Sequence, residues 1–329
     1  MPKFCRHNRL LQNCPICSRE QAVELRPLVS SSTPRINEPR SRESGTTARR
    51  SRPQNAPGRG GVKVRRLRDT VDDGYRSPLV PGLKSSQDAH RLAEEVAFAA
   101  TRLRVLGTDP SGLYAEVADP GGGLEERSWL AFLIAYLYPL ERPEPFAAIA
   151  AVRTSFEDAD QLDLEGVETG PRSAHDPARG LDSVNAYRAW AQRAGSQAEA
   201  FTGDPGWSAE RRFARAFERL ALPGVHRDAR FELLGSLGAL GVYELRPGGL
   251  MLGGADEVTV GAKRAFAIGD TQLLERRAAQ LAEACSAPLG ALDLALYSWE
   301  RGERVTAGLG PAAGPGDAEL EAARAALDL

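Results

Sequence analysis

With 329 residues, 42% of them hydrophobic, the chain can bury one sizeable core and a small accessory module, which excludes a wholly disordered protein. Its formal net charge of -2 conceals an asymmetry: residues 1–68 hold 16 Lys and Arg against four Asp and Glu, leaving 26 basic and 40 acidic residues for 69–329. The two parts therefore call for different partners, and the longest apolar run, WLAFLIAYLYPL, spans only 12 residues (129–140) against the roughly 18 that cross a bilayer, so no membrane is expected and the setting reads as cytoplasmic.

The first element is CRHNRLLQNCPIC, residues 5–17, which holds three of the four cysteines. Cys5, His7, Cys14 and Cys17 form two chelating pairs joined by a short connector. Three thiolates and one imidazole saturate a tetrahedral Zn2+ and leave no position open for water, so the metal is expected to be structural. A segment this short has no core of its own, and metal binding would supply most of its folding energy, on the order of 10 kcal/mol. The competing readings are reduced, unpaired cysteines or a disulfide; an odd cluster without a secretory leader disfavours the latter. Residues 1–20 are thus expected to be a zinc knuckle.

Residues 21–71 follow as a disordered basic linker. Between 30 and 68, 11 basic residues face only Glu38 and Glu43, with almost no large apolar side chains to offset the entropy of ordering. Such a tether suits sequence-independent contact with phosphates through counterion release; the alternative is a solvated linker with incidental charge.

From 72 to 305 the patterning predicts a mainly α domain. Leu92, Val96, Ala99, Leu103 and Leu106 make one stripe of a helix opened by Ser86 or Asp88. LEERSWLAFLIAYLYPL (124–140) is apolar on every side, the mark of a buried central helix ended by Pro139. Shorter helices are expected in PFAAIAAVRTSF, in GLDSVNAYRAWAQRAG with Ser183 as cap, and in SAERRFARAFERLAL. The loop TGPRSAHDPARG (169–180) carries Arg172, His175, Asp176 and Arg179. In GVYELRPGGLMLGG, two short apolar runs flank Pro247-Gly248-Gly249, which predicts one small β-hairpin. Two helices then follow, VTVGAKRAFAI and, capped by Asp270, TQLLERRAAQLAEACS with Cys285 on its apolar face. Residues 306–329 read as a Gly/Pro link and a marginal short helix.

No phosphate-binding P-loop, dinucleotide fingerprint or serine-nucleophile elbow occurs. The run LALPGVHRDARFELL (220–234) has a helix, a Pro223-Gly224 turn, and a second helix with Arg227 and Arg230 in its first turns. Backbone N–H groups at such a turn can hold a phosphate with arginine assistance. The run resembles the hairpin of helix-hairpin-helix DNA glycosylases, although His226 stands where the second hairpin glycine is expected. The resemblance implies a catalytic Asp at a downstream helix start; Asp256, followed by Lys263 and Arg264, occupies that position. An ordinary helix-turn-helix corner is the alternative.

A wider resemblance rests on the order of CRHNRLLQNCPIC, the basic linker, YRSPLVPGLKSS, TGPRSAHDPARG, AYRAWAQRAGSQ, RRFARAFERLALPG and VTVGAKRAFAIGD. Together these resemble alpha-glutamyl/putrescinyl thymine pyrophosphorylases of clade 3. This implies a glycosylase-like helical domain acting on DNA thymines, where an amine from an amino acid or polyamine displaces pyrophosphate from a 5-hydroxymethyl group. Arg172, Lys263 or Arg264 would then assist the departing anion, and Asp256, His175 or the neighbouring Asp176 would serve the amine as base. Base extrusion is the device expected for reaching the methyl carbon in duplex DNA. The rival expectation is a DNA-binding regulator, with Asp228–Leu240 as recognition helix and 242–252 as the wing of a winged helix.

Overall fold

The stripe that begins at Leu92 folds as expected: Leu92, Val96, Ala99 and Leu106 are sealed from solvent along α1, Ser86–Thr108. The computed structural model describes residues 71–329, so the expected zinc knuckle and nearly all of the basic linker lie outside the described residues. Helix α1 is not capped by its own serine or by Asp88. Instead the Asp73 carboxylate accepts hydrogen bonds from the Ser86 N–H at 3.0 Å and its hydroxyl at 2.5 Å, satisfying a donor that the helix start leaves open.

The short α2 (Leu113–Ala118) leads into α3 (Leu124–Leu137), in which Ser128–Leu137 are all buried. It stops at Tyr138, whose φ of 61° leaves the helical region before Pro139 is reached. Next come α4 (Ala147–Val152), a 3-10 turn at Ala159–Gln161, α5 (Asp182–Ala194), α6 (Gln197–Thr202) and α7 (Ala209–Arg219). Ser183 lies inside α5, buried, rather than capping it. The remaining helices are α8 (Arg227–Ala239), α9 (Glu257–Phe266), α10 (Thr271–Ala284), α11 (Ala291–Arg301) and α12 (Asp317–Ala326). The described part is mainly α.

Helix α1 is the spine: it packs most extensively on α11 and α12 and also touches α8, while α9 lies on α11 and α3 on α8. Beside it, Trp129, Phe132, Tyr136, Tyr187 and Trp190 form a continuous aromatic stack, with Phe132 and Tyr187 ring centres 3.8 Å apart. Residues 306–329 are no loose link. Ala307, Ala323 and Leu327 are fully buried, and the Tyr75 hydroxyl donates to the Leu327 carbonyl at 2.6 Å.

The expected β-hairpin is absent: no strand occurs among the described residues, and 242–252 run as irregular backbone. The reason lies in where the backbone donors go. The N–H groups of Leu250 and Leu252 bind the two oxygens of Glu275 on α10 at 2.6 and 2.7 Å, and Arg246 N–H reaches the Ala209 carbonyl. With its ladder donors spent on a carboxylate, the second run cannot pair with the first.

Candidate functional site

Three arginines and three carboxylates meet beneath the surface of the helical body. The first arginine arrives on the 169–180 loop, which is held by the end of α3. Carbonyls that a helix end leaves unsatisfied accept from that loop: Leu137 and Tyr138 from Gly170 N–H, each at 3.0 Å, and Tyr136 from Ala174 N–H at 2.9 Å. A Cβ at Gly170 would lie 2.0 Å from the Pro139 carbonyl oxygen, so the loop can approach this closely only with glycine there. The outcome is that Arg172 points inward, its side chain 1% exposed.

Arg172 Nη2 donates to Asp293 Oδ2 at 2.7 Å, lies 3.5 Å from Asp228 Oδ1, and its guanidinium stacks 4.5 Å from the Tyr297 ring centre. Arg227, at the first position of α8, binds the other oxygen of Asp293 together with Asp228 and the Leu250 carbonyl. One turn further along α8, Glu232 receives Arg102 of α1 at 2.5 Å. Burial opposes the charge on Arg102, Arg172, Arg227 and Asp293, yet their partners outweigh it. The pKa values of Arg102, Arg172 and Arg227 are raised, and Arg172 and Arg227 hold the Asp293 carboxyl below its usual value. With three arginines against three carboxylates, the cluster balances in formal charge.

A cavity of about 550 Å3 opens onto this cluster, within the roughly 300–1,000 Å3 of small-molecule sites. Its floor includes Arg102, Glu232, Ser236 and Asp293, and Leu103, Phe231, Leu245 and Leu289 line its apolar walls. Arg104, Arg246 and Glu319 also line it. Arg104 pairs with Glu319 at 2.8 Å and Arg246 with Glu210 at 2.6 Å, both as exposed ion pairs.

The residues singled out in the sequence fall into two groups. Arg172 and Arg227 join the cluster below the cavity. Each gives part of its guanidinium to Asp293, and Arg227 also to Asp228, while Arg172 Nε and Nη1 and Arg227 Nε have no hydrogen-bond partner among the described residues. Arg230 is likewise turned inward: Nη1 donates to the Phe217 carbonyl in the last turn of α7 at 3.1 Å, and the group lies 4.2 Å from the Phe217 ring centre. Gly224 turns the chain between α7 and α8 at φ 76°, and a Cβ there would meet the Ser183 hydroxyl at 1.8 Å.

The second group neither lines the cavity nor joins the cluster. Asp256 is the N-cap of α9: Oδ1 accepts from Thr259 N–H at 2.9 Å and Oδ2 from its hydroxyl at 2.8 Å. Arg264 pairs with Asp88 and with Glu300 at 3.4 Å while lying 4.1 Å from the Trp299 ring centre; Lys263 is exposed. His175 Nδ1 sits 3.2 Å from the Tyr136 hydroxyl, and burial lowers the imidazole pKa against the opposing charge of Asp176. Asp176 itself accepts from Ala178 N–H at 3.0 Å and lies 3.5 Å from Arg179. Helix α8 does not offer a recognition surface either, since Ala229, Phe231–Leu234, Ser236 and Leu237 are buried. Cys285 is a buried thiol whose pKa burial raises to about 11, as its place on an apolar face implies.

Arg102, Glu232, Ser236 and Asp293 escaped the sequence reading. The signal was weak but present: Glu232 and Ser236 stand four apart within a helix whose other inner positions are apolar. Among the described residues no group of His, Cys, Asp or Glu is placed to hold a metal, and no helix is long and apolar enough to cross a membrane. Comparison with protein-family models, with curated proteins and with solved structures gives no match to this chain.

Proposed function

We propose that the protein is a nucleic-acid-acting enzyme that draws a nucleotide into the cavity and modifies its base. One observation carries the reading: an apolar-walled cavity of about 550 Å3 has a charged floor and two surface arginines along its lining. Arg104 and Arg246 are held by exposed ion pairs, which water and salt screen. Exchanging Glu319 and Glu210 for nucleic-acid phosphates therefore costs little, and a phosphate beside an arginine gains charge-assisted hydrogen bonds.

The reaction class comes from the sequence resemblance: an amine replaces pyrophosphate on a 5-hydroxymethyl pyrimidine, with the donor an amino acid or polyamine. An acidic domain needs help in attracting DNA, and the basic residues of 21–71 suit that task. The cavity also favours an enzyme over a winged-helix regulator, because the latter needs an exposed helix and a basic wing.

The test compares nucleosides, by mass spectrometry, in DNA from the source organism lacking this gene and complemented with wild type or Gly235→Leu. Gly235 lines the cavity and a Cβ there would meet nothing within 4 Å, so leucine is expected to occupy cavity space. A modified nucleoside present with wild type and absent with Gly235→Leu is the expected result. An identical nucleoside profile in all three strains would refute base modification.

A further inference from the structure

The Arg102–Glu232 pair on the cavity floor is lopsided. Glu232 Oε1 takes all the hydrogen bonds: Arg102 Nη2 at 2.5 Å, the Ser236 hydroxyl at 2.9 Å and the Tyr114 hydroxyl at 3.3 Å. Oε2 takes none among the described residues, and Arg172 Nη1 lies 4.0 Å from it, beyond hydrogen-bonding reach. Arg102 mirrors this. Nε donates to the Ala307 carbonyl at 3.3 Å and Nη2 to Tyr114 at 2.9 Å and to Glu232, which leaves Nη1 without an acceptor. Both residues are at least nine-tenths buried and both line the cavity.

One charged acceptor and one charged donor thus flank a single shared hydrogen bond, on rigid helices α1 and α8. A carboxylate is acceptor-only and a guanidinium donor-only, so the pair recognises a ligand edge that offers an N–H beside a C=O. That is the lactam edge of a 2,4-dioxopyrimidine or a 6-oxopurine. An aminopyrimidine or 6-aminopurine presents a bare ring nitrogen next to an amino group, which would place a lone pair against Glu232 and an N–H against Arg102. Sites built to hydrogen-bond a ligand group reject the analogue lacking it because their own buried groups are then left unpaired.

We infer that Glu232 and Arg102 are the specificity-determining residues of the cavity and select a base with a lactam edge, Glu232 Oε2 accepting the ring N–H and Arg102 Nη1 donating to the adjacent carbonyl. This rests on the cavity being the nucleotide site. Ser236 and Tyr114 act through Glu232: by holding Oε1 they turn Oε2 to the ligand.

The test uses the full chain and ligand-observed NMR titration with thymidine, deoxyguanosine, deoxycytidine, deoxyadenosine and 3-methylthymidine. Thymidine, deoxyguanosine or both are expected to bind at least tenfold more tightly than deoxycytidine and deoxyadenosine, and which of the two does so distinguishes the pyrimidine from the purine source. Methylation of N3 removes the donor and is expected to cost thymidine the same factor. Gly235→Leu, which leaves the ion pair intact, is expected to abolish binding. Equal binding of all five nucleosides, lost in Gly235→Leu, would overturn the lactam selection while leaving the cavity as the site. Nucleoside binding that Gly235→Leu does not alter, or no binding of any nucleoside, would overturn both. Glu232→Gln is a second arm: it offers both a donor and an acceptor, so in protein that retains its helical circular dichroism the preference for the lactam edge is expected to fall below threefold.

Discussion

Replacing Asp293 with asparagine isolates the keystone of the buried cluster. The carboxylate binds Arg172 through one oxygen and Arg227 through the other, and both contacts are shielded from water, with side-chain exposures of 3% for Asp293, 1% for Arg172 and 10% for Arg227. Asparagine keeps the shape but leaves three arginines facing two carboxylates, and its amide group turns a donor toward a guanidinium that can only donate. Removing one partner of a buried pair costs about 3–5 kcal/mol. For a body of this size each kcal/mol moves the melting temperature by about 2–4 °C, so a fall of about 6–20 °C is expected. Thermal unfolding followed by circular dichroism at pH 7 measures it. The pH dependence supplies an internal check. Because the folded-state pKa of Asp293 is depressed, its stabilisation is complete above the unfolded value of about 3.9 and is lost as pH falls through the folded value. The gap between wild type and Asp293→Asn must therefore narrow in that acid range. A melting temperature within about 2 °C of wild type at pH 7 would refute the argument that the cluster depends on this charge.

Four further outcomes follow from other residues. His175 has a lowered folded pKa, so wild-type stability is expected to decline as pH falls below the unfolded value of about 6.5, and His175→Gln is expected to remove that component from a melting series between pH 7.5 and 5. Asp256→Asn keeps a good cap and is expected to melt like wild type, whereas Asp256→Ala loses about 1 kcal/mol; a hundredfold activity loss in Asp256→Asn at an unchanged melting temperature would mark the carboxylate as a base. The spacing of Cys5, His7, Cys14 and Cys17 predicts one zinc per chain, and metal analysis of Cys14→Ser is expected to show its loss. A chain beginning at Asp69 is expected to bind duplex DNA with a flatter salt dependence than the full chain, and an equal slope would reduce residues 1–68 to a linker.

What could be read from the sequence was whatever neighbouring positions decide. The stripe on α1, the apolar run of α3 and the cap of Asp270 depend on residues within a few positions of one another, and all of them fold accordingly. Helix α11 was missed because ALDLALYSWER is apolar along most of its length and its buried Asp293 looks like a surface residue. Asp293 is buried only because arginines 121 and 66 positions away neutralise it. The same long reach misdirected the reading of Arg172, Arg227 and Arg230. An arginine near a turn has one signature in sequence whether its partner is a phosphate, a buried carboxylate or a helix-end carbonyl. The hairpin failed for a related reason, since nothing in 242–252 announces that Glu275 will claim its backbone donors.

The contact between Tyr75 and Leu327 has a consequence for how the chain is made. The spine α1 finds its two largest partners, α11 and α12, about two hundred residues later in the sequence. A nascent chain emerging from the ribosome at about 5–20 residues per second must therefore carry the apolar stripe of α1 uncovered for on the order of ten seconds or more. During that interval the stripe of Leu92, Val96 and Ala99 lacks α11 and α12 and is a surface for chaperones or for aggregation. Synthesis stopped before Ala291 would leave it exposed for good, so a chain truncated there is expected to be insoluble rather than a shortened, working protein.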